Sequence, residues 1–260
     1  MLTILTATYN RAHTLSRLYA SLLAQTQCDF EWLIIDDGSN DNSKELINEF
    51  LMEGKIKISS QYQENMGKHA AINRGVSICR QDWIFIVDSD DVLTPDAVEE
   101  IKKVIGNPNC KDAVGFCFRK SYFDGALIGV PAQSEELEVL TPTAAGHKFK
   151  GDLAYIFSRA AMTSCLFPII PGEKFVPELY IWNKISDQGR IYYNGGRSIY
   201  LAEYLPEGYS KSFKKVFIKN PMGFFIFYAS QISRERKLLP KIKNLIRSLQ
   251  CLFRIIVGVS

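Results

Sequence analysis

Several protein classes are excluded by what this sequence lacks. Its six cysteines (Cys28, Cys79, Cys110, Cys117, Cys165 and Cys251) include no Cys-x-x-Cys pair. That argues against a zinc site or a disulfide framework and fits reduced cytosolic thiols. Histidine occurs three times, too rarely for a multi-His metal centre. No apolar run approaches the roughly 18–20 residues that span a bilayer. Met1–Thr6 carries no basic leader followed by an apolar core, so no signal peptide is expected. Gly-x-Gly-x-x-Gly does not follow the first apolar stretch, and Gly-x-x-x-x-Gly-Lys-Ser/Thr is absent, so a dinucleotide fingerprint and a P-loop are unsupported. There is no internal repeat or low-complexity tract.

What is present is a 260-residue chain, 47% hydrophobic and 23% charged. Such a chain buries a sizeable core in one domain, with or without an appendage. The formal charge of +3 is unevenly spread. Gln188 to Ser260 holds thirteen Lys or Arg against three Glu, which leaves the remainder acidic. A basic tail suggests a phosphate-rich partner, a membrane surface first and nucleic acid second.

The most informative stretch is Trp83-Ile84-Phe85-Ile86-Val87-Asp88-Ser89-Asp90-Asp91. Its apolar run reads as a strand buried on both faces. Thr94-Pro95-Asp96 then reads as an N-cap, a first-turn proline and an acid opening a helix to Ile105, with Gly106 as its stop. Acids would therefore sit at the carboxyl end of a central strand, where open α/β sheets bind ligands. Clustered carboxylates repel one another, and a hard divalent cation such as Mg²⁺ or Mn²⁺, arriving with substrate phosphates, relieves that repulsion.

The same alternation recurs upstream. Strands are expected at 1–7, at Glu31–Ile35 ending in Asp36-Asp37-Gly38-Ser39, and at Ile56–Tyr62. Helices are expected from Thr14, after Ser39 or Asp41, and over His69–Cys79. Repeated strand-helix alternation implies a parallel sheet with right-handed crossovers. If the two acid-tipped strands are neighbours, both acidic pairs face one crevice.

After residue 107 the pattern fades. Val114–Arg119 reads as a strand, 121–150 as loop-rich, and Gly151–Met162 as helical. Leu179–Ile185 reads as a helix carrying Trp182, and Ile199–Leu205 as a strand. Phe224–Val259 is helical in pattern with a break at Pro240, a wide apolar stripe and Lys241, Lys243, Arg247 and Arg254 largely off it. Such a helix lies in a membrane interface or packs on the domain or a second subunit with its basic face solvated.

Taken together, these pieces resemble glycosyltransferase family 2, the inverting nucleotide-sugar enzymes. The matching motifs are Thr8-Tyr9-Asn10-Arg11, Leu23-Ala24-Gln25-Thr26, Asp36-Asp37-Gly38-Ser39, Asn65-Met66-Gly67-Lys68 running into Ala71–Gly75, and Val87–Asp91 followed by Pro95-Asp96. Gly151-Asp152, Pro177-Glu178 and Glu203-Tyr204-Leu205 resemble bacterial surface-polysaccharide members more loosely. The resemblance implies a GT-A fold: an α/β, Rossmann-like, mostly parallel central sheet flanked by helices, with a C-terminal helical extension. Residues 1–106 would bind the nucleotide-sugar, 107–215 the acceptor, and 216–260 would form the basic tail.

The resemblance also implies roles. Ala7, Thr8 and Tyr9 would line the nucleobase pocket, with Asp37 accepting from a uracil N–H. Asp90 would approach the ribose. Asp91, with Asp88 shaping the site, would hold Mg²⁺ or Mn²⁺ against the diphosphate. Lys68 and Arg74 would approach the phosphates or the sugar. Glu178 would be the general base, with Glu173 and Asp152 in reserve, while His69 and His147 stay structural. Glu178 also reads as a first-turn carboxylate on a helix dipole.

The Gln-x-x-Arg-Trp signature of the processive synthases is absent. A single transfer from a UDP-sugar to a glycan or lipid-linked acceptor is therefore implied, in a cytoplasmic protein at the inner face of the membrane. No nucleic acid is implied; a second copy is the other partner the tail could take. The alternatives are a sugar-nucleotide-forming nucleotidyltransferase and a silent sugar-nucleotide-binding scaffold.

Overall fold

A computed structural model describes residues 1–203 and 213–258. The first half alternates as its apolar periods require: β1 (Leu2–Thr8), α1 (Ala12–Leu23), β2 (Phe30–Asp36), α2 (Ser43–Glu53), β3 (Ile58–Tyr62), α3 (Lys68–Ile78) and β4 (Trp83–Ile86). A short β5 (Val92–Leu93), α4 (Ala97–Ile105) and a long β6 (Ala113–Tyr122) follow. Then come β7 (Leu137–Val139), α5 (Pro142–Phe149), β8 (Leu153–Ser158), α6 (Arg159–Ser164), α7 (Leu179–Ser186) and β9 (Arg190–Ala202). The chain closes with α8 (Phe213–Lys219), α9 (Pro221–Arg234) and α10 (Leu238–Val257).

One open sheet runs in the order β3-β2-β1-β4-β8-β6-β9-β5, with β7 pairing β9. From β3 to β4 it is parallel. Beyond β4 it is mixed, because β8 enters antiparallel between β4 and β6. The acid-tipped strands β2 and β4 are not neighbours, as the alternation had suggested; β1 lies between them.

Alternate residues of each strand supply two cores on opposite faces. Ile4, Trp32, Ile34 and Phe85 pack with Leu15, Leu18 and Ile101 beneath α1 and α4. Leu5, Leu33, Ile35 and Ile84 pack with Ala71, Val76 and Trp182 beneath α3 and α7. Each such fully buried large side chain stabilises the fold by about 1.5–3 kcal/mol. A Cβ at Gly75 would run into the Leu5 side chain, so a larger residue there would push α3 off β1.

Four local readings need correction. Leu153–Ser158 is a strand, not part of a helix; its apolar run carries no helical period, and its backbone bonds go to β4 and β6. The segment 121–150 contains a helix, α5, capped by the Thr141 hydroxyl with Pro142 in its first turn. The helix after the acidic turn starts at Ala97 with Asp96 as its N-cap residue; Thr94 instead donates its hydroxyl to Asp96 at 2.7 Å. Pro240 does not break the terminal helix. The break lies between Arg234 and Leu238, and Pro240 sits in the first turn of α10, where its missing N–H is not needed. Tyr204 and Leu205 lie outside the described residues.

Candidate active site

Strand order brings two acidic turns to one end of the sheet. β1 and β2 run in register from Leu2–Phe30 to Thr8–Asp36, and β4 flanks β1 on its other side. The turns after β2 and β4 therefore leave the carboxyl edge on either side of the turn after β1. Local bonds stitch the first two together. The Asn10 N–H donates to Ser39 Oγ (2.9 Å), the Asn40 N–H to Asn10 Oδ1 (2.8 Å) and the Ala12 N–H to Asp41 (3.1 Å). Asn10 takes a left-handed φ of 52°, which asparagine tolerates better than most residues.

The amino end of α3 joins the two acidic turns. Gly67 and Lys68 are consecutive. The Gly67 N–H donates to Asp37 Oδ2 at 2.8 Å, while the Lys68 ammonium pairs with Asp88 beyond β4. Lys68 also lies 2.7 Å from Glu178 Oε1. One cation thus connects the acidic turn to the start of α7. Burial works against its charge, but Asp88 and Glu178 hold its pKa well above the usual lysine range.

Asp37 is 2% exposed. Its carboxylate accepts from Gln63 Nε2 (2.7 Å), the Met66 N–H (2.9 Å) and the Gly67 N–H (2.8 Å). It holds the 63–67 loop, and little of it faces outward to receive a nucleobase. Thr8 is buried at the end of β1 with its hydroxyl unpartnered, Ala7 is half-buried, and Tyr9 is exposed.

Burial pushes Asp91 up to about 7; Asp88 and Asp90 add to the shift and Lys120 opposes it. Burial and the neighbouring Asp88 likewise raise Asp90. Burial alone would raise Asp88 too, but the ammonium groups of Lys68 and Lys120 pull it below the usual carboxylate range. Tyr200 on β9 braces the turn: its hydroxyl accepts from the Asp88 N–H at 2.9 Å and bonds the Asp91 side chain. The Glu203 N–H donates to Asp91 Oδ1 at 3.1 Å.

These donors are all oxygen, and the charges of Asp88 and Asp90 help to raise Asp91, which suits a hard divalent ion. They do not form a ready cage. Among the described residues no three His, Cys, Asp or Glu side chains are grouped to hold a metal. Mg²⁺ ordinarily needs only one or two protein carboxylates when substrate phosphates complete its shell, so Asp91 and its turn fit the ion in that way.

Glu178 does not cap its helix. It precedes α7 without a side-chain bond to that helix's N–H groups, and its Oε1 faces Lys68 instead. A small cleft beside it is lined by Lys68, Asp88, Lys120, Tyr155, Glu178 and Trp182. The reserve acids lie elsewhere. Glu173 accepts from the Met222 and Gly223 N–H groups, both at 2.7 Å, and so caps α9. Asp152 is exposed at the start of β8. Arg74 is exposed on α3 and donates to Gln61 on β3 (3.0 Å), outside the cluster. His69 is 3% exposed against the edge of the Phe167 ring, and His147 pairs with Glu235.

Sequence reading missed four contributors. Lys120 lies 3.9 Å from Asp91 and 3.8 Å above the Tyr200 ring. Arg11 reaches Asp90 at 3.7 Å. Arg17 donates to the Asp90 carbonyl at 2.7 Å and pairs with Glu203 at 2.9 Å. Arg11 stands in a quoted motif and could have been given a role. Lys120 and Tyr200 meet only through the irregular β6–β9 register, which no local pattern reveals.

The sheet thus carries acid-tipped parallel strands on one side, with Lys68 bridging the Asp88 turn to the carboxylate of Glu178. The model of Glycosyl transferase family 2 matches residues 3–161, more than half the chain, and the chain belongs to that family. An uncharacterized glycosyltransferase of Nostoc sp. is 30% identical over 68% of this chain and 51% of its own length. A poly-beta-1,6-N-acetyl-D-glucosamine synthase of Staphylococcus aureus is 31% identical over 56% of this chain and 38% of its own. The chain spans about half the length of the first of these relatives, and less of the second. Among solved structures, S. aureus TarS 1–349 in complex with UDP superposes with a TM-score of 0.67 at 16% identity, covering 97% of this chain and 71% of that one. At that identity the likeness shows the fold, which is GT-A.

Proposed function

We propose that this chain transfers one sugar, with inversion, from a UDP-sugar to a hydroxyl of a glycan or lipid-linked acceptor in bacterial surface-polysaccharide synthesis. The observation that carries this reading is the placement of Lys68 between Asp88 and Glu178. It sets a carboxylate free of helix-capping duty opposite the acidic turn, across a cleft. Inversion requires that arrangement, with a base on one side of the anomeric carbon and the leaving diphosphate on the other. TarS was solved with UDP, and the S. aureus synthase makes a polysaccharide; both support the donor and product classes.

In this reading Ala7, Thr8 and Tyr9 line the base pocket, and Asp37 shapes it by holding the 63–67 loop. Asp90 meets the ribose, with Arg11 as its countercharge. Asp91 and Asp88 would hold Mg²⁺ or Mn²⁺, which when bound stabilises the charge of the departing diphosphate. Glu178 takes the proton from the attacking acceptor hydroxyl. Lys68 orients Glu178 and lies within reach of the phosphates once the donor enters. Residues 1–106 serve the donor, and the segment up to about 215 serves the acceptor. A lipid-linked acceptor lies at a membrane surface, so that acceptor class requires a face able to meet lipid.

The test is UDP release from a panel of UDP-sugars by the parent protein and by Glu178→Gln. The variant should bind UDP as the parent does and lose turnover by about 10²–10⁴-fold, the range general-base catalysis supplies. Undiminished turnover would remove Glu178 as the base. No UDP release from any donor in the panel would remove the donor class.

A further inference from the structure

The terminal helix faces the wrong way for an ordinary surface helix. An amphipathic helix normally turns its apolar arc inward and its charges outward. In α10 the buried residues are Ser248 and Cys251, while Leu239, Phe253 and Ile256 stand 80%, 67% and 75% exposed. At about 100° per residue, Leu238, Ile242, Leu245, Ile246, Leu249 and Phe253 fall on one continuous outward arc. Lys243 and Arg254 border that arc on one edge and Lys241 on the other. The helix thus packs on α9 by its narrow small-residue edge and presents its apolar face to solvent. The apolar face is therefore not packed on this chain's own domain, which was one half of the sequence-based alternative; packing on a second subunit is the other half. Contiguous apolar faces of this kind mark interaction surfaces.

Charge selects the occupant. Residues 213–258 hold ten Lys or Arg and a single carboxylate, Glu235, which is paired with His147. A second copy would bring the same basic surface against itself, and like charges facing each other oppose that contact. An anionic lipid surface complements it: the apolar arc enters the acyl boundary and the flanking Lys241 and Lys243 meet the headgroups. Among the described residues no helix is long and apolar enough to cross a membrane, so α10 would lie in the interface.

The helix is firmly joined to the site. Arg247 and Arg254 lie 5.8 and 5.9 Å from the Phe217 ring, on the protein side of the arc. α9 is fixed by Glu173 at its start, by Gln231 to Thr143 (2.9 Å), and by Arg234 to Asp187 (2.6 Å) just past α7. Glu178 opens α7. The outward arc is therefore connected, element by element, to the proposed base.

We infer that α10 docks this protein onto an anionic phospholipid bilayer by its outward apolar arc and flanking basic residues. The inference rests on the transferase reading only for its purpose, because docking itself needs no turnover.

The test is co-sedimentation of the full chain with phosphatidylcholine vesicles, with and without phosphatidylglycerol, at low and high salt. Binding should be at least tenfold stronger on the phosphatidylglycerol vesicles and weaken with salt. Ile246→Glu and Phe253→Glu replace solvent-facing side chains and should leave the melting temperature unchanged while lowering vesicle binding at least tenfold. Lys241→Glu with Lys243→Glu should do the same. Turnover on a soluble acceptor should be unaltered in all of them. Binding to neither vesicle overturns the inference, as does equal binding to both. A parent protein that is dimeric without lipid, made monomeric by Ile246→Glu, and indifferent to vesicles would assign the arc to a second copy instead. Vesicle binding without any UDP release would leave the docking standing and sink the transferase reading alone.

Discussion

Replacing Lys68 by methionine removes a cation that touches both Asp88 and Glu178 while keeping the length of its stem. At 2.7 Å the Lys68–Glu178 attraction is about 6 kcal/mol for an effective dielectric of about 20, and about 1.5 kcal/mol in water. Burying the ammonium offsets much of the larger figure. The Glu178 side chain is 36% exposed, so solvent screening moves the net value toward the lower one. A coupling of about 1–2 kcal/mol is the outcome. Asp88 loses its closest countercharge as well, so Lys68→Met should cost about 2–3 kcal/mol in all, or roughly 4–12 °C in melting temperature. Urea unfolding of Lys68→Met, Glu178→Gln and the double variant isolates the pair. The two single costs should exceed the double cost by about 1–2 kcal/mol. Additivity within about 0.3 kcal/mol would refute the claim that Lys68 holds Glu178 in place.

Three further changes probe the frame around the site. Glu173→Gln should lose about 1 kcal/mol, read by thermal unfolding, because it weakens the cap on Met222 and Gly223; its turnover should persist, which separates it from Glu178. Gly67→Ala should lower stability by more than about 3 kcal/mol and abolish UDP binding by calorimetry. Its φ is +93°, a Cβ there would strike the Lys174 backbone carbonyl, and its N–H holds Asp37. His69 has its pKa lowered by burial, with partial opposition from a bond to the Lys174 backbone and from Asp37. Its folded pKa lies below the unfolded value near 6.5, so the unfolded chain takes up the proton first as pH falls. Stability should drop as the solution passes below about pH 6.5, and His69→Gln should lose less between pH 7.5 and 5.5 in urea midpoints.

The amino-terminal half of the molecule was legible because burial there follows simple periods. Trp32 and Ile34 against Leu33 and Ile35 alternate between two cores, and Leu15, Leu18 and Leu22 repeat at helical spacing. The acids at the strand ends stood out for the same reason: each follows an uninterrupted apolar run. The second half resists reading because its order in the sheet is not its order in the chain. β8 inserts between β4 and β6, and Leu153–Ser158, buried by both, looks the same whether it coils or extends. β9 carries Gly195-Gly196 and a register shift beside Lys120, so neither its length nor the Lys120–Tyr200–Asp91 contact follows from local pattern. The outward arc of α10 was visible as an amphipathic stripe, but its direction depends on which edge α9 receives, and only the packed structure decides that.

The Asp88–Asp91 turn is the proposed meeting point of a nucleoside diphosphate and a divalent ion. Calorimetric titration with UDP, with and without Mn²⁺, on the parent and on Asp91→Asn tests this most directly. Mn²⁺ should tighten UDP binding by at least tenfold in the parent and have little effect in the variant. UDP binding that ignores both the ion and the substitution, or no UDP binding at all, would contradict it.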